Sequence, residues 1–141
     1  MSPEPASSPI MNHSEVLDQA RCVDLLESTP IGRIGFVDDG VPLVLPVNFA
    51  WFDDGIVFRT LEGKKLAAAA AAQTVCFEVD HWDPADHTGW SVVVTGTARE
   101  VTQWAEYEEL ERIGLVPWDR DQWRPFWIRI DPDAITGRLL R

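Results

Sequence analysis

Hydrophobic and polar positions first repeat at helical spacing and then switch to alternation. After Asp18, residues Cys22, Leu25 and Leu26 share one face of a short helix, with Leu17 and Cys22 set to pack across its start and Pro30 to end it. Short β-like runs follow, separated by turn signals: GRIGFV, the turn Asp38-Asp39-Gly40, the long run VPLVLPVNFAWF, the turn Asp53-Asp54-Gly55, and IVFRT. This order predicts two successive hairpins. Six consecutive alanines, Ala67 to Ala72, then predict a helix, because alanine loses least on entering one. In TVCFEVD, Val75, Phe77 and Val79 alternate with Cys76, Glu78 and Asp80, the pattern of a half-buried strand. The segment HWDPADHT reads as a loop, and GWSVVVTGTAREV as the longest strand, bent or bulged at Gly96. A second helix starts at Thr102, with Trp104, Tyr107 and Leu110 on one face, Glu108 and Arg112 paired four apart, and Gly114 as its stop. The chain closes with a strand, RPFWIRI, and a short turn, ITGR.

The two rows of the VPLVLPVNFAWF run differ. Val41, Leu43, Leu45, Val47, Phe49 and Trp51 form an apolar row expected in the core. The opposite row, Pro42, Val44, Pro46, Asn48, Ala50 and Phe52, is small or flat and leaves room for a planar ligand. Its prolines lack N–H groups and place the run at an edge or at bulges. Asn48 is suited to hydrogen-bond the polar edge of a heterocycle, or else to satisfy a neighbouring turn. Trp90 offers a flat surface and Ser91 a hydroxyl on the other face. With seven tryptophans in the chain, core packing is the competing role for Trp90.

Charge sharpens the picture at one place. Among 141 residues there are 23 acidic side chains against 12 lysines and arginines, a formal net charge of -11. That excess disfavours a nucleic-acid partner. The only lysines, Lys64 and Lys65, stand side by side where IVFRT gives way to the alanine helix, after the permissive Gly63. Unpaired N–H groups and the helix dipole favour an anion there, and Arg59 and Thr60 end the preceding strand. The segment reads as a phosphate site, with a solvated lysine pair capping a surface helix as the alternative.

Composition, 45% hydrophobic and 25% charged, is that of one globular domain, residues 14–141, preceded by a Ser- and Pro-rich flexible tail, residues 1–13. No apolar run is long enough to span a bilayer. Cys22 and Cys76 are expected as buried, reduced thiols of a cytoplasmic protein, and the cysteines and histidines show no metal-ligand spacing.

The succession GRIGFVDDGVPLVLPVNFAW, IVFRTLEGKKL, VCFEVD and GWSVVVTGTAREV resembles the flavin-binding split barrels of the pyridoxamine 5'-phosphate oxidase-like superfamily, over Asp18 to about Ile130. The resemblance extends to its small actinobacterial and nitroimidazole-resistance-like members. It implies a mainly β fold, a six-stranded split barrel with flanking helices, forming a homodimer with flavin mononucleotide (FMN) in clefts at the subunit interface. It also implies that Arg59, Thr60, Lys64 and Lys65 hold the cofactor phosphate. Pro46, Val47, Asn48 and Phe49 would line the isoalloxazine, with Trp90 and Ser91 contributed by the partner subunit. No Arg-x-His-type segment follows the last strand, which argues against vitamin B6 oxidation. The function the resemblance implies is that of a flavin-dependent oxidoreductase transferring a hydride to or from a small planar compound, or of a deazaflavin-dependent reductase, since a deazaflavin would present a similar phosphate-bearing tail. No acid, base or nucleophile stands out as catalytic; in flavin hydride transfer the cofactor carries the reaction. Trp51, Trp82 and Trp127 are candidates for the substrate side, with core packing as the alternative. His81 and His87 raise a further alternative, a non-catalytic flavin or haem carrier with a histidine ligand near a cleft, against which stands their place in a solvated loop.

Overall fold

The structure, a computed structural model, describes residues 13–61, 68–69, 71–116, 118 and 124–141. Its strands are β1 (Ser14–Val16), β2 (Ile31–Asp38), β3 (Val41–Phe52), β4 (Gly55–Thr60), β5 (Thr74–Asp83), β6 (Thr88–Glu100) and β7 (Phe126–Leu140). The helices are α1 (Gln19–Glu27) and α2 (Trp104–Arg112). Strand order is β1-β7-β4-β3-β2-β5-β6, and β6 also pairs with β7. Six strands, β7-β4-β3-β2-β5-β6, therefore close on themselves as expected, which removes the open edges of a flat sheet. The seventh, β1, is an addition beside the end of β7, through the pairs Ser14–Leu140 to Val16–Arg138. His13 continues that ladder by exchanging backbone hydrogen bonds with Arg141.

Local chemistry accounts for most of these elements. Asp18 caps α1, its carboxylate accepting from the Arg21 N–H at 2.8 Å, and Cys22, Leu25 and Leu26 are buried beneath the helix. The two hairpin turns put Asp39 and Gly40, then Asp53 and Asp54, at positive φ. Aspartate tolerates that region, and such turns match the right-handed twist of the flanking strands. Ala68 and Ala69 are helical and buried. The chain leaves that turn with the Gln73 N–H donating to the Ala68 carbonyl and the Ala72 N–H to the Ala69 carbonyl, Ala72 at φ 49° standing where glycine is usual. The Gln73 side chain then bonds both backbone polar groups of Val37, at 2.7 and 2.8 Å.

Alternation along β5 puts Val75, Phe77 and Val79 inside the barrel, where Phe77 meets Phe49 edge to face, centroids 4.7 Å apart. The same alternation corrects the expectation for the thiols: Cys22 is buried, whereas Cys76 shares the outer face with Glu78 and Asp80 and is exposed. A second apolar cluster, Val57, Val101, Leu110 and Trp127, lies outside the barrel beneath α2.

Three segments depart from expectation. HWDPADHT is strand at both ends and a turn only from Pro84 to His87, since the β5–β6 ladder runs on to Asp83–Thr88. The Asp83 carboxylate accepts from the Ala85 and Asp86 N–H groups and so tightens the turn. ITGR is not a turn but the end of one fifteen-residue strand. It continues because the register shift between Thr95 and Gly96 accommodates Pro132 opposite, and because Gly137 leaves space for Cys22 Sγ, which would lie 2.6 Å from an added Cβ. The bulge foreseen at Gly96 is that same shift. Finally, α2 begins at Trp104 with Gln103 as its cap, and of its anticipated apolar face only Leu110 is buried.

Candidate functional site

β3 builds the centre of the site, with its apolar row less buried than its sequence predicts. Val47 and Phe49 are in the core, Leu43, Leu45 and Trp51 pack against it, and Val41 is exposed. The cause is the short β4, which pairs only with Phe49 to Phe52 and leaves the first part of β3 with β2 as its partner. The opposite row divides as well. Ala50 and Phe52 pack into the cluster under α2, whereas Pro42, Val44 and Pro46 are exposed and Asn48 is half-buried.

Asn48 stands at the boundary of the two halves. Its Nδ2 donates to the Pro30 carbonyl at 2.9 Å, and the Phe49 N–H donates to the same oxygen at 3.1 Å. One side of the amide thus satisfies the turn after α1, the second of the two roles expected for it, while the other, Oδ1, is buried without a hydrogen-bond partner among the described residues. An orphaned acceptor costs about 1–3 kcal/mol when nothing fills it. A ligand N–H donor would.

On β4, Arg59 follows Phe58, the residue paired with Phe49, so Asn48 and Arg59 are the next residues along the two strands. The Arg59 guanidinium donates through Nε to the Arg124 carbonyl at 2.8 Å. Its Nη2 is 3.2 Å from Glu111 Oε1 on α2, and its Cζ lies 5.1 Å from the Trp127 ring centroid. Trp127 donates its indole N–H to the same Glu111 oxygen at 2.9 Å. Thr60 faces the opposite side of the strand, is buried, and donates its hydroxyl to the Leu61 carbonyl at 2.9 Å. Lys64 and Lys65 lie outside the described residues. Trp127, a candidate for the substrate side, is only 1% exposed and belongs to the core under α2; Trp51 is half-buried, and Trp82 is exposed.

Trp90 packs against the barrel core and pairs with His81 and Leu139, while Ser91 pairs with Asp80 and Arg138. Within one chain β2 and β5 separate these residues from Pro46 to Phe49. His81 is exposed and His87 sits in the turn at φ 56°. Neither lines either of two clefts that the described residues form beside β3. One cleft, 380 Å³, lies between the end of α1 and β3, walled by Leu26, Thr29, Pro30, Phe49 and Trp51. The other, also 380 Å³ and apolar, lies on the outer face among Val37, Pro42, Val44, Cys76 and Thr95.

Two sets of partners were not legible in the sequence. Glu111 reaches Arg59 across the fold, and no local spacing links them. Arg33 lies 3.2 Å from Glu78 and 3.4 Å from Asp80, an outer-face trio joined by the pairing of β2 with β5. Burial, then the adjacent Asp80, pushes the Glu78 carboxyl up to about 7, and the hydrogen bond from Glu78 holds Asp80 below its ordinary range. The folded state therefore keeps a proton on Glu78 that the unfolded chain releases. This contribution to stability is present at acid pH and is lost as pH rises from about 4.5 towards 7; that of Asp80 is lost as pH falls below 3.8. Subtracting the melting profile of Glu78→Gln from that of the unaltered protein is expected to give a difference that declines across the upper window. A flat difference would show that Glu78 titrates normally.

Among the described residues no helix is long and apolar enough to cross a membrane. The family profile described as pyridoxamine 5'-phosphate oxidase matches residues 18–139. The Mycobacterium tuberculosis protein Rv0080 is 34% identical over 126 residues, covering 86% of this chain and 82% of its own. The solved structure of the FAD binding protein from Mycobacterium smegmatis is similar with a TM-score of 0.73 and 38% identity, over 89% of this chain and 98% of that one. A FAD-binding protein from Mesorhizobium loti shares the fold, with a TM-score of 0.77 at 23% identity over 92% of this chain and 98% of that one.

Proposed function

Because the chain belongs to the pyridoxamine 5'-phosphate oxidase family, a family of split barrels, we propose that it is a flavin-dependent oxidoreductase, a cytoplasmic homodimer that transfers a hydride to or from a small planar compound. FMN is the proposed cofactor, held through the riboflavin 5'-phosphate that FMN and FAD share; the similar M. smegmatis protein is described as binding FAD. The observation that carries this reading is the buried, unpartnered Oδ1 of Asn48 on the flat row of β3. It fits the N–H on the polar edge of a flavin ring, and the Pro30 carbonyl fixes its orientation by engaging Nδ2. When bound, the flavin supplies the two-electron chemistry.

The chain's own residues bind, orient and shield. Pro46 offers a flat wall without an N–H, and Asn48 reads the ring edge. Arg59, Lys64 and Lys65 meet the phosphate. Pro46 to Phe49 and Trp90 with Ser91 come to one cleft only if a second copy supplies one of the two sets, and exposed Val37, Val44 and Val93 give the barrel an apolar outer face for that copy.

The test is an absorbance titration of the purified protein with FMN, FAD, riboflavin and a deazaflavin, followed by stopped-flow reduction of nitroaromatic and quinone compounds. Saturable binding of FMN, with hydride transfer, is the expected result. Preference for FAD or for a deazaflavin would correct the cofactor. A Soret band sensitive to His81→Ala would replace the reading with a haem carrier, and failure to bind any of these compounds would remove it.

A further inference from the structure

Arg59, the arginine assigned to the cofactor phosphate, already has an anionic partner in this chain. Its side chain is 11% exposed, and Nη2 sits 3.2 Å from the Glu111 carboxylate. Two further contacts fix the guanidinium: Nε on the Arg124 carbonyl at 2.8 Å and the Trp127 face at 5.1 Å. Glu111 is held in turn by the Trp127 indole N–H at 2.9 Å. Tyr107, one turn earlier on α2, donates its hydroxyl to the Pro125 carbonyl at 2.9 Å and so ties the helix to the segment entering β7. Burial first, and then the nearby Glu111 carboxylate, push the Tyr107 phenol up, so no second anion comes from it.

We infer that Glu111 is a latch on Arg59: it competes with the cofactor phosphate for the guanidinium and sets how strongly the protein prefers a phosphorylated flavin over riboflavin. The inference rests on the flavin reading above. A phosphate that approaches Arg59 also approaches the negative charge of Glu111, whose side chain is 35% exposed beside a guanidinium that is 11% exposed, so that water screens the repulsion only in part. Without a phosphate, the same carboxylate keeps the low-exposure arginine from being an uncompensated charge. Glu111 thereby acts through Arg59 as a positioning residue and does not touch the flavin ring.

Glu111→Gln tests this without removing the oxygen that accepts from Trp127. It is expected to tighten FMN binding roughly fivefold, from the loss of one repulsive charge at intermediate effective dielectric, and to leave riboflavin binding unchanged. In an Arg59→Lys background the gain should shrink, as coupling between the two residues requires. A second measurement uses the unaltered protein: FMN, and not riboflavin, should shift the NMR resonance of the Trp127 indole N–H as Glu111 leaves it. Weaker FMN binding by the Gln variant, or equal changes for FMN and riboflavin, would overturn the latch while leaving the flavin reading intact. If the unaltered protein binds no flavin, both fall together.

Discussion

Replacing Gly96 by valine is expected to destroy the cooperative thermal transition or to lower stability by about 3 kcal/mol or more, the range of severe backbone and packing defects. Gly96 lies at the register shift where β6 meets β7. A Cβ there would stand 2.2 Å from the Asp131 carbonyl oxygen and 2.9 Å from its carbon. These are backbone atoms, so no rotamer change relieves the overlap. Backing β7 away would also disturb the Asp131 carboxylate, which receives Arg99 and Arg129, each at 2.7 Å. Arg129 in turn donates to the carbonyls of Phe52 and Asp53 at 3.0 and 2.6 Å and holds the β3–β4 turn. The strain thus passes from the seam that closes the barrel to the hairpin that carries Asn48 and Arg59. Thr95→Val, one residue away with its side chain on the outer face, is expected to remain within about 0.5 kcal/mol of the parent. Chemical denaturation followed by circular dichroism compares the two, and a Gly96→Val midpoint equal to the parent's would show that β7 is free to move.

The contrast between Gly96 and Arg59 indicates which features a sequence of this kind exposes. Gly96 interrupts a run of β-branched residues, and a lone glycine in such a run signals a bulge because the reason for it is local. The Asp-Asp-Gly turns, the Asp18 cap and the alternation of β5 were legible on the same ground. The continuity of β7 was not: Asp131-Pro132-Asp133 reads as a break until the partner strand supplies a bulge opposite it. The exposure of Cys76 was already implied by its place beside Glu78, but a general preference of cysteine for burial outweighed the alternation. At the site, Asn48 and Arg59 were singled out by residue type, whereas the Pro30 carbonyl, Glu111 and Trp127 that orient them are brought in by pairings between distant segments. Sequence spacing reports which residues can share a strand face. It does not report what a helix on the other side of that strand will offer to an arginine.

The charge already spent on Arg59 shifts the burden of phosphate recognition to the lysines. With the guanidinium 3.2 Å from Glu111, the net positive charge that Arg59 offers a phosphate is small, and Lys64 and Lys65 are the only lysines in a chain of net charge -11. Replacing both by alanine is therefore expected to weaken FMN binding about 100-fold, which at about 1.4 kcal/mol per factor of ten corresponds to roughly two charge-assisted hydrogen bonds at the lower end of their range. Riboflavin, with the same ring and no phosphate, should lose less than about twofold, and the salt dependence of FMN binding should flatten in the variant as screened attraction disappears. Parallel titrations of FMN and riboflavin at two ionic strengths read all three effects. Equal losses for both ligands would mean that the lysines support the ring-binding cleft and not the phosphate. Undiminished FMN affinity would return the phosphate to Arg59 alone, and the Glu111→Gln variant would then show its largest gain.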